Sequence, residues 1–172
     1  MSQLRREVSP FLNRDEIAEI VTQLARQIEA DYEGKEVVFI CPLRGSIHFL
    51  ADLVRKLELH CVIDFVYLTG GSKGGVVKIV KDISVNIADK HVVVVEEIID
   101  TGKTLSFLCH RLKASLPASL KIVTLLDKPA RREIPLKADY IGKTIEDRYV
   151  VGYGMDSEEL GRNYPDIYIL RN

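Results

Sequence analysis

The stretch that decides the fold is Val92-Val93-Val94-Val95-Glu96-Glu97-Ile98-Ile99-Asp100-Thr101-Gly102-Lys103-Thr104-Leu105. Its four consecutive valines predict a strand buried on both faces, as strands of parallel sheets are. Glu96 and Glu97 are expected to end that strand, and Thr-Gly-Lys-Thr then leads into an apolar-periodic run that predicts a helix. Such a turn gathers backbone N–H groups at the positive end of a helix dipole, which makes an anion site and most simply a phosphate site. Carboxylates beside a phosphate indicate Mg²⁺, sugar hydroxyls, or both.

The Gly-Lys-Thr at 102–104 matches the end of a Walker A motif, but the start of that motif is missing. Walker A requires a glycine five positions before Gly102, and Glu97 stands there. A carboxylate in a phosphate cradle would repel the ligand. The sequence therefore does not predict a P-loop nucleotide hydrolase.

Composition and charge restrict the class of protein. At 172 residues the chain fits one domain with a sizeable core. A formal net charge of −1 gives no basic excess for nucleic acid. No apolar run is long enough to cross a bilayer or to serve as a signal peptide. The three cysteines, Cys41, Cys61 and Cys109, are far apart, which predicts reduced thiols and a cytoplasmic location rather than disulfides or zinc.

Strand and helix patterns alternate along the chain and predict an α/β fold. Asn13 and Glu16 form a capping-box pattern at the start of the first helix. The expected architecture is a largely parallel twisted sheet with helices on both faces. Ligands of such sheets bind at the carboxyl ends of the strands. Strands are predicted at 37–41, 61–68, 76–80, 92–95 and 121–126, and helices from 13 to 34, 45 to 56 and 102 to 115.

The last part of the chain has shorter strand patterns separated by polar turns. Together with the amino-terminal residues, residues from about 129 to 172 are expected to form a small hood lobe over a core of about 35–128. We therefore predict that residues 1–172 are a single domain with a cap.

Six motifs, in their order and spacing, resemble the hypoxanthine-guanine branch of the type I phosphoribosyltransferase family. They are Leu43-Arg44-Gly45, Val76-Val77-Lys78-Ile79, the loop from Glu96 to Thr104, Leu125-Leu126-Asp127-Lys128-Pro129, Lys137-Ala138-Asp139-Tyr140 and Tyr149-Val150-Val151-Gly152-Tyr153-Gly154-Met155-Asp156. The resemblance implies Mg²⁺-dependent transfer of ribose 5-phosphate from phosphoribosyl diphosphate to hypoxanthine or guanine. The products would be IMP or GMP and pyrophosphate, in purine salvage. It also implies a homodimer or a homotetramer.

The resemblance and the side-chain chemistry together imply a phosphoribosyl site. Backbone N–H groups and hydroxyls suit the 5-phosphate, and carboxylates suit ribose hydroxyls and Mg²⁺ because they only accept hydrogen bonds when ionised. Asp100 matches the family's catalytic residue, which faces N7 of the purine and handles its proton. The expected phosphoribosyl-binding residues are Glu96, Glu97, Asp100, Thr101, Gly102, Lys103, Thr104 and Leu105, and the expected metal ligands are Glu96, Glu97 and Asp156.

The resemblance also implies the sites for pyrophosphate and for the base. Lys128 indicates the class of base, because an ammonium group only donates and therefore suits the 6-oxo group of hypoxanthine or guanine rather than the 6-amino group of adenine. The Tyr149 ring suits stacking on a purine, and the Arg162 guanidinium suits pyrophosphate. The expected pyrophosphate-binding residues are Leu43, Arg44, Gly45 and Arg162, and the expected base-binding residues are Lys128, Tyr149, Val150 and Asp156.

The sequence departs from the family pattern in three places. Glu97 stands where the family has aspartate, so direct metal contact there is left open. Arg44 stands where bacterial members often have lysine, which keeps the charge. The segment 69–75 is shorter than the family's mobile loop and lacks its Ser-Tyr pair, with Thr69 as a substitute for the serine. Poorer closure over the site predicts slow turnover or a changed base preference.

Arg131 and Arg132 are predicted to lie in a solvated turn.

Two other functions fit the same fold. A nucleotide-sensing RNA-binding regulator would need a basic surface, and regulators of this type replace the residue equivalent to Asp100. A transferase that prefers xanthine differs in its contacts at position 2 of the base, where the family uses mostly backbone groups. Side chains therefore leave the choice among xanthine, hypoxanthine and guanine open.

Overall fold

The computed structural model describes residues 8–70 and 76–171. In chain order the elements are β1 (Val8–Leu12), α1 (Arg14–Tyr32), β2 (Val37–Leu43), α2 (Ile47–Val54), β3 (Cys61–Thr69), β4 (Lys78–Lys81), β5 (His91–Ile99), α3 (Lys103–Lys113), β6 (Ser119–Asp127), β7 (Tyr140–Thr144), β8 (Val150–Val151) and β9 (Ile167–Leu170). A short 3₁₀ turn, Pro129–Arg131, follows β6. The helix start at Asn13 has the predicted capping box, with Asn13 and Glu16 bonding each other's backbone N–H groups.

The central element is a six-stranded sheet in the order β4-β3-β2-β5-β6-β7. The pairs β2–β3, β2–β5, β5–β6 and β6–β7 are parallel, and β4 pairs antiparallel with β3 at one edge. This confirms the largely parallel sheet expected from the sequence. Because β2, β5 and β6 are neighbours, the loops after their carboxyl ends lie side by side at one edge of the sheet.

Helices cover both faces of this sheet, as predicted. Val93 and Val95 of β5 pack in one hydrophobic core with residues of α1 and α2. Val92 and Val94 point to the opposite face and pack in a second core with residues of α3. The valine run is therefore apolar throughout because each of its two faces is covered by helix.

Strand β5 is longer than the sequence predicts. Its pairing with β6 continues through Glu96, Ile98 and Ile99, whose partners are Thr124, Leu126 and Asp127. The prediction that the two acids end the strand is therefore wrong. The ladder of β6 extends beyond them and holds their backbone in extended geometry.

A second sheet of three antiparallel strands, in the order β1-β9-β8, stands where the hood was expected. The expected boundary near residue 129 needs one correction, because β7 pairs with β6 and is the edge strand of the large sheet. Short strand patterns leave such placement open, since the partner of an edge strand is chosen by packing. Within residues 8–70 and 76–171, no helix is long and apolar enough to cross a membrane.

Candidate active site

The phosphate loop, residues 99–105, turns the chain from β5 into α3. Gly102 has a φ of +82°, a left-handed conformation that favours glycine, and it stands at the N-cap of α3 without a side-chain capping bond. The Asp100 side chain therefore does not cap the helix. The Lys103 N–H donates to the Thr101 hydroxyl at 3.4 Å, and the N–H groups that follow it in the first turn lie at the positive end of the helix dipole, where an anion binds.

A cavity of about 220 Å³ lies beside this loop. Six of the predicted phosphoribosyl residues line it: Glu96, Asp100, Thr101, Gly102, Thr104 and Leu105. Lys103 is not among them, because its ammonium group forms an ion pair with Glu133. The Lys103 side chain thus points to the outside of the loop, so its predicted contact with phosphate would have to come from its backbone N–H, which lies 3.4 Å from the Thr101 hydroxyl.

The two acids at the end of β5 concentrate negative charge next to this cavity. Burial, and then the neighbouring Glu97 carboxylate, raise the pKa of Glu96 well above its usual value. Both causes disfavour the charged form of Glu96. A divalent cation near the pair would remove that penalty.

Glu97 is also tied to the turn between β2 and α2. The Glu97 carboxylate accepts a hydrogen bond from the Ser46 hydroxyl, and the Glu97 backbone N–H donates to the Ser46 Oγ at 3.3 Å. A Cβ atom on Gly45 would lie 1.8 Å from Oε1 of Glu97, so a larger residue there would have to displace the Glu97 carboxylate. On its other side Gly45 meets Gly154, whose added Cβ would lie 1.9 Å from the Gly45 carbonyl oxygen. The turn at 44–46 is thus pressed between β5 and the loop after β8.

The predicted base pocket, called the base pocket below, is a second cavity, of about 180 Å³, on the other side of Asp100. It is lined by Glu97, Ile98, Asp100, Lys128, Tyr149, Val150, Met155 and Asp156. All four predicted base-binding residues are therefore brought together with Asp100. Because Ile98 and Asp100 line both cavities, the two cavities adjoin at Asp100.

Lys128 is buried in this pocket, with 6% of its surface exposed. Its N–H donates to the Ile99 carbonyl at 3.0 Å, which holds it beside the end of β5. Among the described residues its ammonium group has neither an ion pair nor a hydrogen bond. An unpaired ammonium at the wall of a pocket can donate to an acceptor, so a ligand carbonyl fits this position.

Two further residues frame the base pocket from the second sheet. The Tyr149 ring is half exposed, and its hydroxyl donates to the Asp156 carbonyl at 3.1 Å. The Tyr149 carbonyl bonds to the N–H of Leu170 in β9. In an antiparallel strand, the backbone N–H and C=O groups of successive residues point to opposite edges of the strand. The Tyr149 groups point to β9, so the Val150 backbone groups point to the unpaired edge of β8.

The predicted pyrophosphate-binding arginines also converge. Arg44 lies 3.0 Å from Glu159, and Arg162 lies 3.4 Å from Glu159 and 2.8 Å from Asp156. The peptide bond between Leu43 and Arg44 is cis. The Glu159 carboxylate thus bridges the two guanidinium groups that are predicted to bind pyrophosphate.

The expectation of a solvated turn at Arg131-Arg132 is confirmed for Arg131, which is exposed at the end of the 3₁₀ turn, and is wrong for Arg132. The Arg132 side chain is 13% exposed and pairs with Asp127. It also donates to the Asp100 carbonyl, while Arg131 lies 3.0 Å from the Asp100 carboxylate. Sequence reasoning missed these two arginines and Ser46, because nothing in their local pattern indicates a contact with a loop about thirty to fifty residues away.

The carboxylates that were predicted to bind a metal ion lie in separate parts of the site. Within residues 8–70 and 76–171, no group of three or more His, Cys, Asp or Glu side chains lies close enough to hold one. The predicted ligands Glu96, Glu97 and Asp156 therefore do not form a single cluster, and Asp156 is engaged by Arg162. Mg²⁺ binds through one or two carboxylates and completes its shell with water and substrate phosphates. The Glu96–Glu97 pair can supply the one or two carboxylates that Mg²⁺ requires.

Residues 71–75, which carry most of the shortened loop, lie outside the described residues. Thr69, the candidate substitute for the family's serine, is the last residue of β3. The expectation of poorer closure over the site stays a prediction.

A profile of the family described as phosphoribosyl transferase domain matches residues 8–158. The chain therefore belongs to the phosphoribosyltransferase family. The hypoxanthine-guanine phosphoribosyltransferase of Staphylococcus aureus strain Mu50 is 42% identical over 165 residues, which are 94% of this chain and 92% of that protein. The bifunctional protein TilS/HprT of Listeria innocua is 38% identical over 165 residues, and the chain spans 26% of its length.

Solved structures lead to the same branch of the family. A hypoxanthine-guanine phosphoribosyltransferase from Bacillus anthracis, with a HEPES molecule in its active site, aligns with a TM-score of 0.93 at 44% identity. The alignment covers 96% of this chain and 99% of that chain. The chain is thus similar to hypoxanthine-guanine phosphoribosyltransferases over nearly its whole length.

Proposed function

We propose that the chain is a purine-salvage enzyme that transfers ribose 5-phosphate from phosphoribosyl diphosphate to hypoxanthine or guanine, giving IMP or GMP and pyrophosphate. The observation that carries the proposal is the pair of adjoining cavities. One has the chemistry of a phosphate site, the other holds the mostly buried Lys128, whose ammonium has no partner among the described residues, and Asp100 lines both. The names of the relatives supply the same substrates.

The reaction requires one bond exchange at the sugar. A nitrogen of the purine attacks the carbon that carries pyrophosphate, so a carbon–nitrogen bond forms and the carbon–oxygen bond breaks. Pyrophosphate leaves with the bonding electron pair, and the purine loses one proton. Asp100 accepts that proton at N7, because it lies between the phosphate cavity and the base pocket.

The other residues bind and orient the two substrates. The N–H groups of residues 101–105 hold the 5-phosphate at the start of α3. Arg44 and Arg162 bind pyrophosphate in place of their contacts with Glu159. Lys128 donates to the 6-oxo group, and the Tyr149 ring stacks on the base. Positive charge that develops on the sugar is stabilised by the nearby acids of β5.

Mg²⁺ is the proposed cofactor. Glu96 and Glu97 would hold it directly or through water, with Asp156 near the pyrophosphate. When bound, Mg²⁺ would neutralise the diphosphate and make it a better leaving group. The acid pair supports this assignment, because burial and mutual repulsion already disfavour its full ionisation. Chelation of divalent cations should abolish turnover, and added Mg²⁺ should restore it.

Three further assignments complete the proposal. We infer a homodimer or homotetramer, because members of this family assemble in these ways, and size-exclusion chromatography with light scattering would test it. We infer one domain over residues 1–172, with the second sheet as its hood. We infer a cytoplasmic location, which the three unpaired cysteines support.

A panel of bases tests the reaction and the class of base together. Protein, Mg²⁺ and phosphoribosyl diphosphate are mixed with hypoxanthine, guanine, xanthine or adenine, and nucleotide formation is followed by absorbance. We expect turnover with hypoxanthine or guanine and none with adenine. Faster turnover with xanthine would replace the proposed substrate, and turnover with adenine would contradict the role of Lys128. Lack of turnover with every base would favour a nucleotide-sensing role.

A further inference from the structure

The segment at 128–134 runs along the outside of the phosphate loop and holds its backbone. The N–H of Lys128 donates to the Ile99 carbonyl at 3.0 Å, and the N–H of Glu133 donates to the Thr101 carbonyl at 3.0 Å. Two carbonyls, one on each side of residue 100, are therefore held by backbone groups of this one segment.

The carbonyl between them belongs to Asp100 and is held by a side chain. It accepts a hydrogen bond from Nη1 of Arg132, while Nη2 of Arg132 pairs with the Asp127 carboxylate. Both side chains are nearly buried, at 13% and 10% exposure. A Cβ atom on Gly102 would lie 3.1 Å from Cδ of Arg132, so the arginine stem also packs under the loop. Buried charge pairs are costly to break, which makes this contact a rigid one.

Arg131 contacts the same aspartate at its side chain. Its Nε lies 3.0 Å from Oδ1 of Asp100 and 3.6 Å from Oδ1 of Asp147. The neighbouring Asp100 carboxylate raises the pKa of Arg131, which keeps the guanidinium charged. Arg131 is not among the residues that line the base pocket. Its guanidinium therefore reaches Asp100 from outside the pocket and leaves Oδ2 for the ligand.

We propose that Arg131 and Arg132 are positioning residues for Asp100: Arg132 holds its backbone carbonyl and so the shape of the phosphate loop, and Arg131 orients its carboxylate toward the purine. This inference rests on the proposed function, because it takes Asp100 as the proton acceptor. Neither arginine lines the phosphate cavity or the base pocket, so both act through the loop. The two contacts predict two different kinetic defects.

A double-mutant cycle tests the side-chain contact. Arg131→Ala should lower kcat about three- to fivefold, because an exposed ion pair contributes at most about 1 kcal/mol and a loosely held general base spends less time in the productive geometry. The KM for phosphoribosyl diphosphate should not change. In the Asp100→Asn background the same substitution should have little further effect, since two residues that act as one unit are not additive. Arg131→Lys should recover part of the loss.

Arg132→Lys tests the backbone contact and keeps the charge beside Asp127. A lysine cannot bond Asp127 and the Asp100 carbonyl with two separate nitrogens, so the loop should loosen. The KM for phosphoribosyl diphosphate should rise about tenfold, since a loop that is no longer preorganised must be ordered on binding. This effect should remain in the Asp100→Asn background, because that substitution keeps the carbonyl.

Arg111→Ala is the matched control, since Arg111 forms a comparable pair with Asp82 at 2.7 Å and lies away from the site. It should leave both kinetic constants unchanged. Thermal unfolding identifies any variant that merely fails to fold. Full additivity of Arg131→Ala with Asp100→Asn, or an unchanged kcat, would overturn the role of Arg131. An unchanged KM in Arg132→Lys would overturn that of Arg132. If Asp100→Asn alone had no effect, the proposed function of Asp100 would fail instead.

Discussion

The phosphate cavity and the base pocket share Asp100 but are built in different ways. The phosphate cavity is lined by one continuous segment, from Glu96 to Leu105. The base pocket is lined by residues of three separate segments, from β5, from the turn after β6, and from β8 with the loop that follows. A site made by one segment depends on local backbone conformation, whereas a site made by three depends on how those segments pack.

Asp100→Asn should produce the largest effect, because Asp100 belongs to both cavities. An isosteric amide keeps the shape but cannot accept the proton, so kcat should fall about 10²- to 10⁴-fold. The KM for phosphoribosyl diphosphate should change little. Steady-state kinetics with each substrate varied in turn measure both values. An equal loss of kcat and of diphosphate binding would assign Asp100 to the phosphate cavity alone.

Lys128→Met should damage the base pocket and spare the phosphate cavity. Methionine fills the buried space but cannot donate to the 6-oxo group. The loss of a hydrogen bond from a charged group corresponds to about 10- to 100-fold in kcat/KM for hypoxanthine and guanine. Isothermal titration with phosphoribosyl diphosphate should show unchanged affinity. If kcat/KM for the bases and the affinity for phosphoribosyl diphosphate fell together, the two cavities would not bind their ligands independently.

Gly102→Ala should damage the phosphate cavity and spare the base pocket. A left-handed conformation costs about 1–2 kcal/mol for alanine, and the added Cβ would press on the Arg132 side chain. The KM for phosphoribosyl diphosphate should rise about 5- to 30-fold, while the preference among bases should not change. Gly34→Ala is a matched control, since Gly34 has a φ of +71° and open space around its Cβ position. It should lower thermal stability and leave both KM values as they are.

Glu159→Gln should have the smallest effect, outside both cavities. Removing the carboxylate that bridges Arg44 and Arg162 should free both guanidinium groups, so pyrophosphate should inhibit the reaction more strongly. An exposed ion pair contributes at most about 1 kcal/mol, which corresponds to about fivefold in the inhibition constant. Glu146→Gln removes an exposed partner of Arg148 instead and should change nothing. Weaker inhibition in Glu159→Gln would mean that Glu159 supports the pyrophosphate site rather than competing for it.

The sequence predicted the phosphate cavity more completely than the contacts that support it. Six of its lining residues follow from one motif, because glycine, hydroxyl and carboxylate positions within ten residues are local information. Ser46, Arg131 and Arg132 were missed, since their partners lie far along the chain. Lys103 was expected to bind phosphate through its backbone N–H, which stays a prediction, and the structure adds that its side chain pairs with Glu133.

The sequence by itself determined the parallel α/β fold and the glycine turn between β5 and α3. The strand and helix pattern and the glycine turn are each encoded in short stretches, because backbone preference and side-chain chemistry there are local. Only the tertiary structure decided that β7 joins the large sheet, that Glu97 is tied to Ser46, and that two arginines hold Asp100. These outcomes depend on which distant segments pack together, and hydrophobic burial and side-chain reach choose those partners in three dimensions.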